Sequence, residues 1–320
     1  MQRVCTKWLM LLGVGLLACS SAPQTPLVVG TVPWVGTEPL FLARELGLYS
    51  PREVHLAEYL STPQRLQAFR NGVIDAVQLT LDEVMSLDHL GQQVRVVLVM
   101  DASHGADCLV ARPEVKSVAN LKGRRVVSED MALPTYMLHR ALEQAGLGIE
   151  DVQRRFQNPA EHEELYRRGE VDALVSYEPF CQRLRAAGAH TLFDSARIPG
   201  EIIDVLVVRG SYLKAHPERV DALLRGWFAA LEHFQSSRDD AARRMGPRLG
   251  LDGAGFLESM NGVRHPSARE QHVLMGGDTP PLRQTMDRLG VLMVRQGLLP
   301  SAPDTQRLLD LGPMSRIAPP

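Results

Sequence analysis

Phe69-Arg70-Asn71-Gly72-Val73-Ile74-Asp75-Ala76-Val77 and Tyr166-Arg167-Arg168-Gly169-Glu170-Val171-Asp172-Ala173-Leu174 are two versions of one phrase. Each reads as a helix end, a turn and a strand. Gly72 and Gly169 supply the left-handed residue that closes a helix, and the apolar residues around each Asp continue into a buried parallel strand. The copies start 97 positions apart, at Phe69 and Tyr166. That offset is too long for a solenoid repeat and suits two similar α/β lobes facing each other across a cleft.

Outward from the echo, helices and strands alternate. Leu27 to Thr31 reads as a first buried strand, Leu40 to Gly47 as a helix and Val54 to Tyr59 as a strand. A helix from Pro63 to Asn71, capped by Thr62, leads to a strand from Ala76 to Leu79, then a helix Leu81 to Leu90 and a strand Val94 to Met100. This βαβαβ order implies mostly parallel sheets flanked by helices. Asp107 to Ala111 reads as a strand leaving the first lobe. Arg125-Val126-Val127, a helix Thr135 to Gly146 and the second copy of the echo make a shorter second unit, and Asp204 to Val208 returns. Two crossings between lobes make a hinge. The boundaries expected are residues 27–110 with 205–320 for the first lobe and its carboxyl-terminal helices, and 111–204 for the second.

With 320 residues, 45% of them hydrophobic, the chain can bury one large or two medium cores. Arg3 and Lys7 precede an apolar run, Trp8 to Leu17, that is too short for a stable membrane span and reads as a signal peptide over residues 1–18. It ends in Leu16-Leu17-Ala18-Cys19-Ser20, which resembles the bacterial lipobox, so Cys19 is the expected lipidation site and residues 19–26 a tether. Taking Arg3 and Lys7 from the 35 basic residues leaves 33 against 37 acidic ones, a formal charge of −4. Neither nucleic acid nor an anionic membrane surface is favoured by that balance, and the lipid must do the anchoring. Cys108 and Cys181 are the remaining mature cysteines, either buried thiols or a disulfide.

Taken in order, Pro39-Leu40-Phe41-Leu42-Ala43-Arg44-Glu45-Leu46-Gly47-Leu48, Gly72-Val73-Ile74-Asp75-Ala76, Asn120-Leu121-Lys122-Gly123-Arg124-Arg125-Val126, Gly169-Glu170-Val171-Asp172-Ala173, Tyr177-Glu178-Pro179 and Tyr212-Leu213-Lys214-Ala215-His216-Pro217-Glu218 resemble the nitrate/sulfonate/taurine-type solute-binding proteins of ABC importers. The resemblance runs from about Leu27 to His233 and implies a two-lobed type II periplasmic-binding-protein fold. It also implies a monomer in the cell envelope, lipid-anchored and facing the periplasm or exterior, that captures a small organic ligand between its lobes for an ABC permease and ATPase. A lipoprotein that senses ligand for a membrane kinase or cyclase is the alternative. An enzyme of precursor synthesis on the same fold is the third reading. Because the chain has no nucleophile elbow, no Gly-rich phosphate loop and no metal-ligand spacing around its His residues, no enzyme, catalytic residue, cofactor or metal is expected.

Ligands of open α/β sheets sit beyond the carboxyl ends of the strands. That rule selects Trp34, Thr37 and Glu38 after the first strand, Thr80 and Asp82 after the third, Glu129 and Tyr136 in the second lobe, and Tyr177 and Glu178 after the second echo. Trp34 offers a flat face and one N–H, while Thr80 and Glu83 form a capping box that directs Glu83 to the backbone. Acids dominate these loops, and Pro134 donates nothing, so a neutral or cationic nitrogenous ligand is expected in preference to taurine or nitrate.

Overall fold

The echoed phrases fold as their residue types dictate. Gly72 and Gly169 sit at φ +72° and +77°, and each N–H closes the preceding helix on Phe69 O (3.0 Å) and Tyr166 O (3.1 Å). The aspartates then enter the sheets alike: Asp75 N–H donates to Val28 O and Asp172 N–H to Arg125 O, both at 3.0 Å. Asp172 adds a carboxylate that takes the Arg125 backbone N–H (2.9 Å) and guanidinium (3.0 and 3.1 Å).

The computed structural model describes residues 25–318, so the signal peptide expected over residues 1–18 and the expected lipidation site Cys19 lie outside the described residues. Among the described residues eleven strands run in chain order: β1 Leu27–Thr31, β2 Val54–Glu58, β3 Ala76–Thr80, β4 Val94–Ser103, β5 Asp107–Ala111, β6 Arg125–Ser128, β7 Gln153–Phe156, β8 Ala173–Tyr177, β9 His190–Asp194, β10 Ile203–Arg209 and β11 Val263–Arg264. They form two sheets, ordered β11-β4-β10-β3-β1-β2 and β7-β6-β8-β5-β9. Parallel pairing holds β2-β1-β3 and β7-β6-β8 together, as the βαβ order requires. The strands that make or follow the crossings run antiparallel, so both sheets are mixed rather than mostly parallel.

The first crossing falls at residues 104–106. Asp107–Ala111, placed by sequence in the first lobe, pairs instead with β8 and β9 in the second sheet. An all-buried apolar strand carries no sign of which sheet it joins. The two crossings are tied together: Ser103 and Ser195 share a hydroxyl hydrogen bond (2.8 Å), and Gly105 N–H donates to Ser195 Oγ (2.6 Å).

Helices cover both sheets. Pro217–Ser236, opened by its proline, packs against the helix Glu38–Glu45 and fully buries Trp227, and the helix Pro281–Arg295 buries Leu282, Met286, Leu289 and Met293 at helical spacing. Cys108 and Cys181 form a disulfide joining β5 to the helix Phe180–Ala186. Among the described residues no helix is long and apolar enough to cross a membrane.

Candidate functional site

The carboxyl ends of β3 and β8, where the two copies of the echo finish, face one cavity of about 60 Å³ between the lobes. Gln78 and Thr80 reach it from one side, Ser176 and Tyr177 from the other. The rule that ligands gather beyond strand ends thus becomes a place with walls.

Four of the residues selected from sequence stand on those walls: Trp34, Thr80, Glu129 and Tyr177. Trp34 Nε1–H donates to Asp101 Oδ2 (3.1 Å), and its ring meets Tyr177 edge-on at 6.0 Å between centroids. Gly36 makes the Trp34 contact possible, because a Cβ there would stand 2.2 Å from Asp101 Oδ2 and 2.3 Å from Trp34 Nε1.

The other five are buried away from the cavity lining. Thr37 Oγ1 donates to Trp34 O (2.9 Å). Glu38 takes the Arg248 guanidinium at 3.1 Å, and burial still pushes its carboxyl up to about 8. Asp82 is buried within the first turn of its helix, where burial and then Glu83 raise its pKa. Tyr136 donates its hydroxyl to Glu201 (2.5 Å). Glu178 accepts from Gln182 N–H (2.9 Å) and pairs with Arg185 at 2.5 Å. Glu178 therefore holds the start of a helix in the second lobe, and a Glu178→Gln change acts on that helix before it acts on a ligand. The cap on the second helix also differs: Thr62 is its first residue, and Ser61 precedes it without a side-chain cap bond.

The charged residues of the cavity floor missed by sequence reading are Arg65, Asp107 and Asp204. Arg65, only 2% exposed, donates to Gln78 Oε1 and to Glu83 Oε2 (3.2 Å), and Gln78 passes a hydrogen bond to Asp204 Oδ1. Glu83 does reach back to Thr80 N–H (3.1 Å), as its capping-box spacing requires, yet it also lines the cavity. Asp107 is the first residue of β5 and Asp204 the second of β10, the strands that follow the two crossings, so the hinge itself delivers two carboxyls to the site. Nothing local in the sequence marks Arg65, since its helix shows only a polar surface pattern.

Burial sets the charge of this floor. Asp107 is pushed up to about 7, and Asp101 and Asp204 are both raised by burial, Asp101 further by the neighbouring charge of Asp204. Glu129 is raised by burial against the opposing pull of Thr62 N–H and Arg65. His162 Nδ1 meets Ser176 Oγ at 3.2 Å, and burial lowers its pKa to about 4, so the imidazole is neutral. One guanidinium thus faces four carboxyls on the wall, Glu83, Asp107, Glu129 and Asp204. Among the described residues no group of His, Cys, Asp and Glu could hold a metal ion.

These shifts have a signed consequence. Glu38 and Asp107 keep protons in the folded state up to about 8 and about 7, where an unfolded carboxyl has lost them, so their contribution falls as pH rises through those values. His162 and His265, both lowered by burial to about 4, act oppositely, but only below their ordinary 6.5. Melting temperature should therefore fall from pH 6.5 to 8, a slope that Asp107→Asn flattens. A rise over the same interval in a thermal-melt series would contradict the assignment.

The NMT1-like family model matches residues 20–247. A curated protein of Escherichia coli (strain K12), named as an aliphatic sulfonates-binding protein, is 25% identical over 211 residues, 63% of this chain and 64% of the relative. The match thus spans just under two thirds of that relative's length. The alkanesulfonate-binding protein SsuA of Xanthomonas axonopodis pv. citri, solved with MOPS bound, has the same fold at a TM-score of 0.75 and 19% identity, covering 91% of this chain and 99% of the other. The desulfurization enzyme DSZB also shares it, at a TM-score of 0.66 and 15% identity over 92% of this chain and 98% of the other, and has been solved with biphenyl-2-sulfinic acid. That finding corrects the expectation of no enzyme: this fold carries catalysis as well as binding.

Proposed function

The chain belongs to the NMT1-like family, and on that premise we propose that it is the solute-binding component of an ABC importer. In this reading it acts as a monomer, closes on a small organic molecule between its lobes and presents it to a permease and its ATPase. The observation that carries the reading is the cavity itself, walled by the strand ends of both lobes and spanned by a hydrogen bond from Thr62 N–H to Glu129 Oε1 (3.0 Å). The named roles of its relatives support it.

The ligand we propose is a neutral or cationic nitrogenous molecule, although those relatives are named for sulfonates. Four carboxyls against one guanidinium offer acceptors to N–H groups, and Trp34 and Tyr177 offer aromatic faces to a planar or cationic group. Asp107 carries its proton up to about 7, so a cationic ligand that displaces it should bind more tightly at pH 8 than at pH 6. A thermal-shift comparison of benzylamine and nicotinamide with taurine and methanesulfonate tests the preference, since binding raises the melting temperature by mass action. Stabilisation by the sulfonates alone would overturn the ligand class while keeping the binding role.

Lipid attachment at Cys19 and an extracytoplasmic location facing the periplasm or exterior complete the proposal. The Cys108–Cys181 disulfide supports an oxidising compartment. A Cys19→Ser protein should lose labelling by a clickable fatty acid, and unchanged labelling would remove the anchor.

A further inference from the structure

Glu129 reaches across the cleft to the start of a helix. The helix Thr62–Arg70 has nine residues, Ser61 before it makes no side-chain cap bond, and its second residue, Pro63, has no N–H to offer. Thr62 N–H is thus the leading free donor at that helix start, and Glu129 Oε1 from the other lobe takes it at 3.0 Å. Three residues along, Arg65 brings a guanidinium to the same wall; it is 2% exposed, and its Nε meets no partner among the described residues. A helix start, a backbone N–H and a buried guanidinium with an unused donor form the setting in which an anion is held in a protein. The anion found there belongs to the chain.

We infer that Glu129 is a built-in anion and the specificity-determining residue of the cavity: its carboxylate fills the seat at the helix start that a sulfonate or carboxylate solute would otherwise take. This rests on the solute-binding reading above. An anionic solute brought to the seat meets Glu129 at contact distance, in a site already holding Glu83 on Arg65. Two like charges in a buried site repel strongly, and the arriving anion must also give up its water. A solute that donates N–H groups meets no such conflict and leaves the Thr62–Glu129 bond in place. The selection therefore lies in one side chain, reached from the loop between β6 and the helix Ala132–Gln144.

The test is calorimetry of methanesulfonate and MOPS with the full chain and with Glu129→Gln and Glu129→Ala, the first keeping the shape and the second emptying the seat. Both variants should bind the sulfonates about tenfold or more tightly than the parent, the size expected when a charged hydrogen-bond seat becomes available. Such a gain cannot come from a merely weakened fold. Equal or weaker sulfonate affinity in both variants overturns the inference. Benzylamine and nicotinamide in the same titrations separate the two claims: their binding with no sulfonate gain removes only the role of Glu129, whereas no heat from any of the four solutes with any of the three proteins removes the binding role as well.

Discussion

Replacing both Cys108 and Cys181 by Ala should lower the stability of the oxidised protein by about 4 kcal/mol, the loop-closure value for their sequence separation of 73. Both sulfurs are fully buried, and the bond ties β5, which pairs with β8 and β9 in the second sheet, to the helix Phe180–Ala186 on its face. The loss should fall on the second lobe, because both cysteines belong to it. Equilibrium urea unfolding followed by circular dichroism measures it, and a biphasic curve, with the earlier phase from the second lobe, is the expected form. A loss under about 1 kcal/mol would mean that the unfolded chain is already constrained in this region.

Arg65→Met should cost about 3 to 5 kcal/mol at pH 8, the range for removing one partner of a buried ion pair. Its guanidinium is the only cation on the cavity wall among the described residues, and it supports Glu83 directly and Asp204 through Gln78. Without it those carboxyls keep their burial and lose their counter-charge. They can escape only by taking protons, so the cost should shrink at pH 5, where both are more readily protonated. A penalty independent of pH would point to lost packing of the side chain's stem instead. Stability curves of parent and variant at the two pH values separate these causes.

Much of this architecture is legible in the residues. The Gly72 and Gly169 phrases mark two helix ends and the strands after them, and the strand ends they lead to are the ones that face each other. Apolar runs and prolines place the helices read from sequence within a few residues, as Pro63 does for Thr62–Arg70. What the sequence does not carry is the partner of each strand. Asp107–Ala111 reads the same whether it lies in one sheet or the other, and only its pairing with β8 and β9 moves the hinge to residues 104–106.

Site residues divide along the same line. Trp34, in the loop after β1, and Tyr177, the last residue of β8, turn toward the cavity, whereas Glu38, Asp82 and Glu178, also beyond strand ends, turn into Arg248, a helix start and Arg185. A loop position gives proximity without direction. Arg65 and Asp204 come from the middle of a helix and the second residue of a returning strand, so only tertiary contact brings them together.

The most direct test of the central claim is calorimetric titration of benzylamine into the full chain and into Leu133→Trp. Leu133 is half-buried on the cavity wall in the first turn of its helix, so a larger ring there occupies the space a solute needs and leaves the carboxyls of the floor in place. The expected result is saturable binding to the parent and its loss in the variant, with the fold of both confirmed by their melting curves. Equal affinity for the two proteins would place the solute outside the interlobe cavity and contradict the claim.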